Sequence, residues 1–309
     1  MKRVVEFIIG MICLSTILLS APIKPIPNEI RVDSKKVQLG KKLFFDPILS
    51  KDGTVSCATC HDLQNGGDDG LKFSFGIRGQ EGNINSPTVY NAVFNFRQFW
   101  DGRAKDLKEQ VSGPVENPVE MGHSMDLIVK VLKKNSVYVK AFNIIYSDGI
   151  TPQNLADAIA EFEKVLITPN APFDKYLKGD KEAISEKAKK GYHLFESKGC
   201  ILCHHGVNVG GNFYNKFGIY KDTNSTNLGR YNITKREEDK YVFKVPSLRN
   251  IAQTSPYMHD GRIDTLSDAV ELMTKHQLGR HMEAGEIDAI VAFLKSLTGE
   301  IPLVVRLKK

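Results

Sequence analysis

The sequence lacks most of the features that mark a nucleic-acid-binding or a fibrous protein. It contains one tryptophan and five cysteines in 309 residues, and its 42 basic residues exceed the 36 acidic ones by only six. No basic block is longer than the closing Arg306-Leu307-Lys308-Lys309, so no nucleic-acid partner is expected. A composition of 41% hydrophobic and 25% charged residues is typical of a folded globular protein. The length predicts two domains, at roughly 100–200 residues each.

A long hydrophobic run is also missing. The uncharged stretch from Phe7 to Ser20 has fourteen residues, whereas a membrane-crossing helix needs about 20. The stretch follows the basic Met1-Lys2-Arg3 and ends at small residues. This pattern predicts a signal peptide over residues 1–20 and an exported chain without stable membrane insertion. An uncleaved anchor is the alternative, because the junction is not a clean Ala-x-Ala.

The four cysteines outside the predicted signal peptide all belong to two C-x-x-C-H motifs. Four cysteines in an exported chain would ordinarily predict two disulfides. This spacing is instead the attachment signature of c-type haem, in which the adjacent histidine binds the iron. The sequence therefore predicts two covalent haem c groups, attached at Cys57, Cys60 and His61 and at Cys200, Cys203 and His204.

An internal repeat accompanies the two motifs. Leu39-Gly40 to Phe44 precedes the first motif, and Lys190-Gly191 to Phe195 precedes the second. Downstream, Pro87, Asn91 and Asp101-Gly102-Arg103 recur 159 residues later as Pro246, Asn250 and Asp260-Gly261-Arg262. Each half of the chain is therefore predicted to be one haem module.

The periodicity of apolar residues predicts a mainly α-helical protein with long loops and few strands. No stretch alternates convincingly between apolar and polar residues over five positions. Thr151-Pro152 indicates the start of a helix whose apolar face includes Leu155, Ile159 and Leu166. Residues 205–244 are predicted to form a long loop over the second haem, and residues 169–180, which contain two prolines, a linker between the halves. Further helices are predicted at 34–44, 125–134, 185–196, 265–276 and 284–297.

The sixth ligand of each iron separates electron transfer from catalysis. Met273 lies fourteen residues after His259 on a predicted helix, which could deliver its sulfur to the second haem. Packing in the core is the alternative role for Met273, and Met258 and His276 are local rivals. Between residues 62 and 99 the sequence has neither histidine nor methionine. The first haem is therefore the candidate for binding a small molecule.

These motifs lie in longer segments that resemble the bacterial dihaem cytochrome c peroxidases, and the resemblance extends over about residues 36–299. It implies two cytochrome c-like helical haem domains, here residues 21–175 and 176–309, with a calcium ion at their interface, in a periplasmic homodimer. It also implies the reduction of hydrogen peroxide with electrons from a small cytochrome c or cupredoxin. The segments that carry it are LGKKLFFDPILSKDGTVSCATCHDL, EGNINSPTVYNAVFN, FWDGRAKDLKEQVSGPVENPVEMG, TPNAPFDKYLKGD and KVPSLRNIAQTSPYMHDG.

The resemblance also assigns roles to single residues. His61 becomes the proximal ligand of a low-potential peroxidatic haem, and His204 and Met273 the axial ligands of a high-potential haem that receives electrons. Trp100 matches the tryptophan between the two haems. Catalysis at the first haem would rest on Gln110 and on Glu120, a group able to take a proton from one peroxide oxygen and return it to the other. The calcium ligands would be Asn85 and the backbone carbonyls of Thr254 and Pro256.

Ile77 is the main departure from the family pattern. Many members carry at this position a histidine that blocks the peroxidatic iron until the other haem is reduced, and isoleucine cannot bind iron. We therefore expect the first haem to be open in the oxidised protein. Related dihaem enzymes that mature a tryptophan-derived cofactor in a partner protein also lack this histidine, but they bind the second haem through tyrosine. A dihaem electron carrier or sensor is the non-enzymatic alternative.

Overall fold

A computed structural model describes residues 22–306. The predicted signal peptide and Cys13 lie outside these residues. None of the helices formed by residues 22–306 is both long and apolar enough to cross a bilayer.

The described chain is mainly helical, as the sequence predicts. One two-stranded antiparallel sheet, in which Tyr214 pairs with Lys244, lies within the long loop predicted at 205–244. The strands are β1 (Tyr214–Lys216) and β2 (Val242–Lys244). The helices are α1 (Ser34–Phe44), α2 (Cys57–Cys60), α3 (Leu107–Gln110), α4 (Ser112–Glu116), α5 (Met125–Leu132), α6 (Ser136–Ile145), α7 (Pro152–Lys164), α8 (Pro172–Leu177), α9 (Glu186–Ser197), α10 (Tyr231–Thr234), α11 (Leu266–His276), α12 (Ala284–Lys295) and α13 (Leu303–Arg306).

Side-chain caps set the start of most of the long helices. Asp33, Ser124, Thr151, Ser185 and Thr265 each accept a hydrogen bond from a backbone N–H in the first turn that follows. All the helices predicted from periodicity are found, with ends shifted by two residues or less. Helix α6 was not predicted, and helix α8 lies inside the segment predicted as a linker.

Each half has its own hydrophobic core, built on one close helix crossing. Helix α1 crosses α7 at Gly40, where a Cβ atom would lie 1.9 Å from the carbonyl oxygen of Ala158. Helix α9 crosses α12 in the same way at Gly191, where a Cβ atom would lie 1.8 Å from the carbonyl oxygen of Ala289. A side chain at either glycine would force the helices apart. The sequence repeat is therefore also a repeat of helix packing.

The two halves meet at a buried network centred on Thr168. Its hydroxyl accepts hydrogen bonds from the side-chain amides of Asn91 (2.8 Å) and Asn250 (2.9 Å), which are equivalent positions of the repeat. Both asparagines have a left-handed backbone, with φ of 61° and 60°, a conformation that asparagine tolerates better than most residues. These two equivalent asparagines therefore contribute to the contact between the two halves.

Each end of the described range, residues 22–306, packs on the opposite half of the chain. Ile23 is buried in the core of the second half, and Lys24 accepts a hydrogen bond at its carbonyl from buried Arg249. At the other end, Val304 and Val305 pack on the core of the first half. Arg249 also forms a fully buried ion pair of 2.7 Å with Asp174. These contacts hold the two modules together.

Candidate functional site

The first C-x-x-C-H motif forms one turn of helix, α2, with His61 directly after it. The backbone N–H of His61 donates to the carbonyl of Cys57 at 3.0 Å. The Nδ1 atom of the ring lies 3.2 Å from the carbonyl oxygen of Gly67. With Nδ1–H donating to that carbonyl, Nε2 keeps its lone pair and is available to bind iron. Burial lowers the pKa of His61, which favours the neutral ligand form.

The four thiols suit covalent attachment of haem and not disulfide formation. All four cysteines of the described chain are free and partly buried. Burial raises the pKa of Cys57 to about 12 and those of Cys60 and Cys200 to about 11, so these three thiols are protonated at neutral pH. A protonated thiol in an apolar setting is inert toward disulfide exchange but has the hydrogen that addition to a vinyl group requires.

The second motif lines a cavity of about 260 Å³. Cys200, Cys203 and His204 contribute to one part of its wall, and Met273 on helix α11 also faces this cavity. Burial lowers the pKa of His204 to about 4, so its imidazole is neutral. Two thiols, a neutral imidazole and a thioether around one cavity are the donor set that a His/Met-ligated haem c requires. The residues around this cavity therefore fit a haem c group.

The rivals of Met273 differ in their position. Met258 also lines the cavity, so it is a second candidate for the sulfur ligand. His276 does not line it, and its Nδ1 atom lies 2.9 Å from the carbonyl oxygen of Asp222 and 3.1 Å from that of Lys221. The ring of His276 thus ties the end of helix α11 to the loop above it.

Trp100 packs against the residue that is its counterpart in the internal repeat. Its ring meets that of His259, the residue 159 positions later, edge to face at 6.2 Å. The two flanking hydrogen bonds are also equivalent. Asn85 donates its N–H to the carbonyl of His259 at 2.9 Å, and Lys244, 159 positions after Asn85, donates to the carbonyl of Trp100 at 2.8 Å. The Trp100 Nε1–H donates to the Asn85 carbonyl at 2.9 Å.

The three residues expected to bind calcium line the same cavity. These are Asn85, Thr254 and Pro256. The Asn85 amide nitrogen donates to the carbonyl of Leu71 at 3.0 Å, which leaves Oδ1 as the oxygen available to a cation. One amide and two carbonyl oxygens form a hard, neutral set that fits calcium when waters complete the shell. No group of three or more histidine, cysteine or acidic residues suited to a metal occurs within residues 22–306.

Glu120 and Ile77 are joined by their backbones. The N–H of Ile77 donates to the carbonyl of Glu120 at 2.8 Å, and the Ile77 side chain is only 3% exposed. The Glu120 Oε1 atom accepts a hydrogen bond from the Asn117 amide at 2.7 Å. Burial raises the pKa of Glu120, an effect that Asn117 and the charge of Arg103 oppose. A carboxyl group with a raised pKa is better matched to acid–base catalysis than an ordinary exposed glutamate.

The carboxylate of Glu120 is near the first C-x-x-C-H motif, whereas the side chain of Gln110 makes no contact with that motif. Besides burial and the charge of Asp69, the charge of Glu120 raises the pKa of Cys60. Gln110 is the last residue of helix α3, and its side-chain amide makes no hydrogen bond within residues 22–306.

Glu163 is a buried acid that sequence reasoning did not single out, because its position on the apolar face of α7 is visible only in the fold. It is 6% exposed, and its Oε2 atom has no partner within residues 22–306. Burial raises its pKa from 4.5 to about 8. The folded protein therefore retains a proton that the unfolded chain releases, and this group makes stability fall as pH rises from about 4.5 to about 8.

We expect Glu163→Gln to raise the free energy of unfolding at pH 7.5 by a few kcal/mol, on the order of 3, and to have little effect at pH 5. The amide is uncharged at both values, so the cost of burying a charge disappears. Denaturant unfolding at the two pH values measures the effect. Glu182→Gln, at a side chain that is 91% exposed, is the charge-matched control. Equal stability of Glu163→Gln and wild type at pH 7.5 would contradict the assignment.

The chain is similar in sequence and in fold to known proteins. A family model described as di-haem cytochrome c peroxidase matches residues 34–182. The chain is 48% identical over 284 residues to cytochrome c peroxidase Ccp of Escherichia coli strain K12, covering 90% of this chain and 61% of that protein. It is 47% identical over 284 residues to cytochrome c551 peroxidase of Nitrosomonas europaea, covering 91% and 85%. A MauG-like protein associated with microbial copper homeostasis superposes with a TM-score of 0.77 at 27% identity, covering 90% and 93%.

Proposed function

The chain belongs to the di-haem cytochrome c peroxidase family, and from this premise we propose that it reduces hydrogen peroxide to water with electrons from a small cytochrome c or cupredoxin. The observation that carries the proposal is the difference between its two motifs. The first has the carboxyl group of Glu120 nearby, whereas the second shares its cavity with the thioether of Met273. One site is equipped for proton transfer and the other for storing an electron.

Cys57, Cys60 and His61 would hold the first haem, whose iron, when bound, supplies the binding site for peroxide and the electron exchange. Glu120 accepts a proton from the incoming peroxide at Oε2, since Oε1 is occupied by Asn117. It then returns that proton to the departing oxygen. Each turnover consumes two protons and two electrons and releases two waters. Gln110 orients the peroxide as a hydrogen-bond donor.

Ile77 leaves the first site open. Its side chain is buried, and its N–H is fixed to the Glu120 backbone. An aliphatic side chain at this place offers no ligand to iron. The protein therefore reacts with peroxide without prior reduction of the other haem.

The second haem would be held by Cys200, Cys203 and His204, with Met273 as the sixth ligand. A thioether ligand raises the potential, which suits a site that takes electrons from the donor. The ring of Trp100 meets that of His259 edge to face, and in this proposal Trp100 stands between the two haems. Its indole ring would shorten the gap across which each electron passes.

The remaining parts of the proposal concern the assembly. Residues 21–175 form the peroxidatic domain and residues 176–309 the electron-transfer domain, with a calcium ion at Asn85, Thr254 and Pro256 between them. The chain is exported to the periplasm by a signal peptide and acts as a homodimer. The position of Asn85, Thr254 and Pro256 around one cavity supports the calcium site.

Two other functions predict different behaviour. An enzyme that matures a tryptophan-derived cofactor would bind its second haem through tyrosine, and identity to the MauG-like structure is lower than to the peroxidases. An electron carrier would have no use for Glu120. Stopped-flow mixing of the mature protein with hydrogen peroxide and reduced cytochrome c distinguishes these functions. A peroxidase oxidises two cytochromes per peroxide over many turnovers; the absence of turnover would reject the proposal.

A further inference from the structure

Lys244 is a lysine buried at the junction of the two haem modules. It is the last residue of strand β2, and its N–H donates to the carbonyl of Trp100 at 2.8 Å. The residue is 8% exposed and lines the 260 Å³ cavity together with Cys203 and His204. Lysine is almost never buried to this degree without a partner.

No partner for the ammonium group exists within residues 22–306. The Nζ atom makes neither a hydrogen bond nor an ion pair there, and burial alone lowers the pKa of Lys244 to about 8. Asp68 is the acidic residue among those lining the cavity. Neither residue shifts the pKa of the other, so they are not paired. An isolated buried charge is strongly unfavourable, so an anionic group in the cavity would stabilise this ammonium group.

The internal repeat shows that this charge is specific to the second half. Lys244 lies 159 residues after Asn85, and the two residues make equivalent hydrogen bonds on either side of the Trp100–His259 pair. The first half thus has a neutral amide where the second half has an ammonium group. Packing at this position does not demand a lysine, because asparagine meets the same backbone geometry.

We propose that Lys244 is a positioning residue whose ammonium group binds a propionate of the haem attached to Cys200 and Cys203. The inference rests on the second haem of the proposed function. A propionate is a carboxylate that the bound haem brings into this cavity, and an ammonium–carboxylate hydrogen bond satisfies both groups. A fixed positive charge near the iron favours the reduced form, which carries one positive charge less. Lys244 therefore acts in the same direction as the Met273 thioether.

The test is a potentiometric titration of the mature holoprotein and its variants. We expect Lys244→Met to shift the equilibrium of the second iron about tenfold toward the oxidised form, a fall of about 59 mV in its potential. Lys244→Arg, which keeps the charge, should stay near the wild type. Lys244→Gln provides a second neutral variant should the methionine variant fail to incorporate haem. Lys216→Met is the matched control, because Lys216 lines the same cavity but is exposed.

The outcomes separate this inference from the proposed function. A wild-type protein with two haems and peroxidase turnover, but with unchanged potentials in both neutral variants, would overturn the role of Lys244 alone. A fall in the potential of the first haem only would also overturn it. A wild-type protein that lacks the second haem would overturn both proposals.

Discussion

Glu120→Gln is expected to lower peroxidase turnover on the order of 10²–10⁴-fold, the usual contribution of a positioned acid–base group. Glutamine retains the oxygen that accepts the hydrogen bond from Asn117, so the pocket keeps its shape while the proton acceptor is lost. Burial raises the pKa of Glu120. In the wild type, kcat/KM should therefore fall as the pH decreases through that pKa and the carboxylate becomes protonated. The variant should lose this acidic limb of the pH profile.

Steady-state rates across a pH series, with reduced cytochrome c as donor, measure the effect. Glu238→Gln, at a side chain that is 69% exposed, removes the same charge and should leave the profile unchanged. The haem content and the absorption spectrum of the oxidised Glu120→Gln protein should match the wild type. Turnover within threefold of the wild type would reject the acid–base role.

Met273→His is expected to lower the potential of the second haem by a sizeable part of the roughly 0.8 V range that axial ligands span. Nitrogen ligands stabilise ferric iron, whereas the thioether favours ferrous iron. Transfer of the first electron from the donor to the second haem should then be less favourable. Turnover should fall, while the reaction of the reduced protein with peroxide should change little. Spectroelectrochemical titration combined with stopped-flow reduction separates the two effects.

Met258→Leu is the matched control for Met273, because both methionines line the same cavity. Met258 has a left-handed backbone with φ of 73° and is the repeat counterpart of Phe99, which has φ of 69°. Its position is therefore explained by packing in the repeat. A large fall in potential in Met258→Leu, with none in Met273→His, would transfer the ligand role to Met258.

Local signals in the sequence predicted most of the helices that have eight or more residues. Asp33 and Thr151 are good N-caps, and the apolar residues after them repeat with helical period. Helix α6 was missed because two of its apolar residues, Val137 and Ile144, are 56% and 61% exposed and blur its apolar face. Helix α8 was missed because Pro172 was read as a breaker, although it stands at the first helical position, where proline is tolerated.

The parts of the site that a contiguous motif forms could be predicted from the sequence. The parts that the fold brings together from distant residues could not. The two C-x-x-C-H motifs define their chemistry within five residues each. The junction depends on residues far apart in the chain. The offset of 159 residues relates Trp100 to His259 and Asn85 to Lys244, but only the fold shows that these pairs meet. The burial of Lys244 and Glu163 likewise results from tertiary packing. It could not be predicted from the sequence, because lysine and glutamate side chains are usually exposed.

Electron paramagnetic resonance of the oxidised holoprotein tests most directly whether the first iron is open and the second is capped by sulfur. We expect two haems per chain, one high-spin ferric centre at the Ile77 site and one low-spin centre with histidine and methionine ligands. Ile77→His should convert the high-spin signal to a second low-spin one. Two low-spin centres in the wild type, each with two protein ligands, would contradict the account.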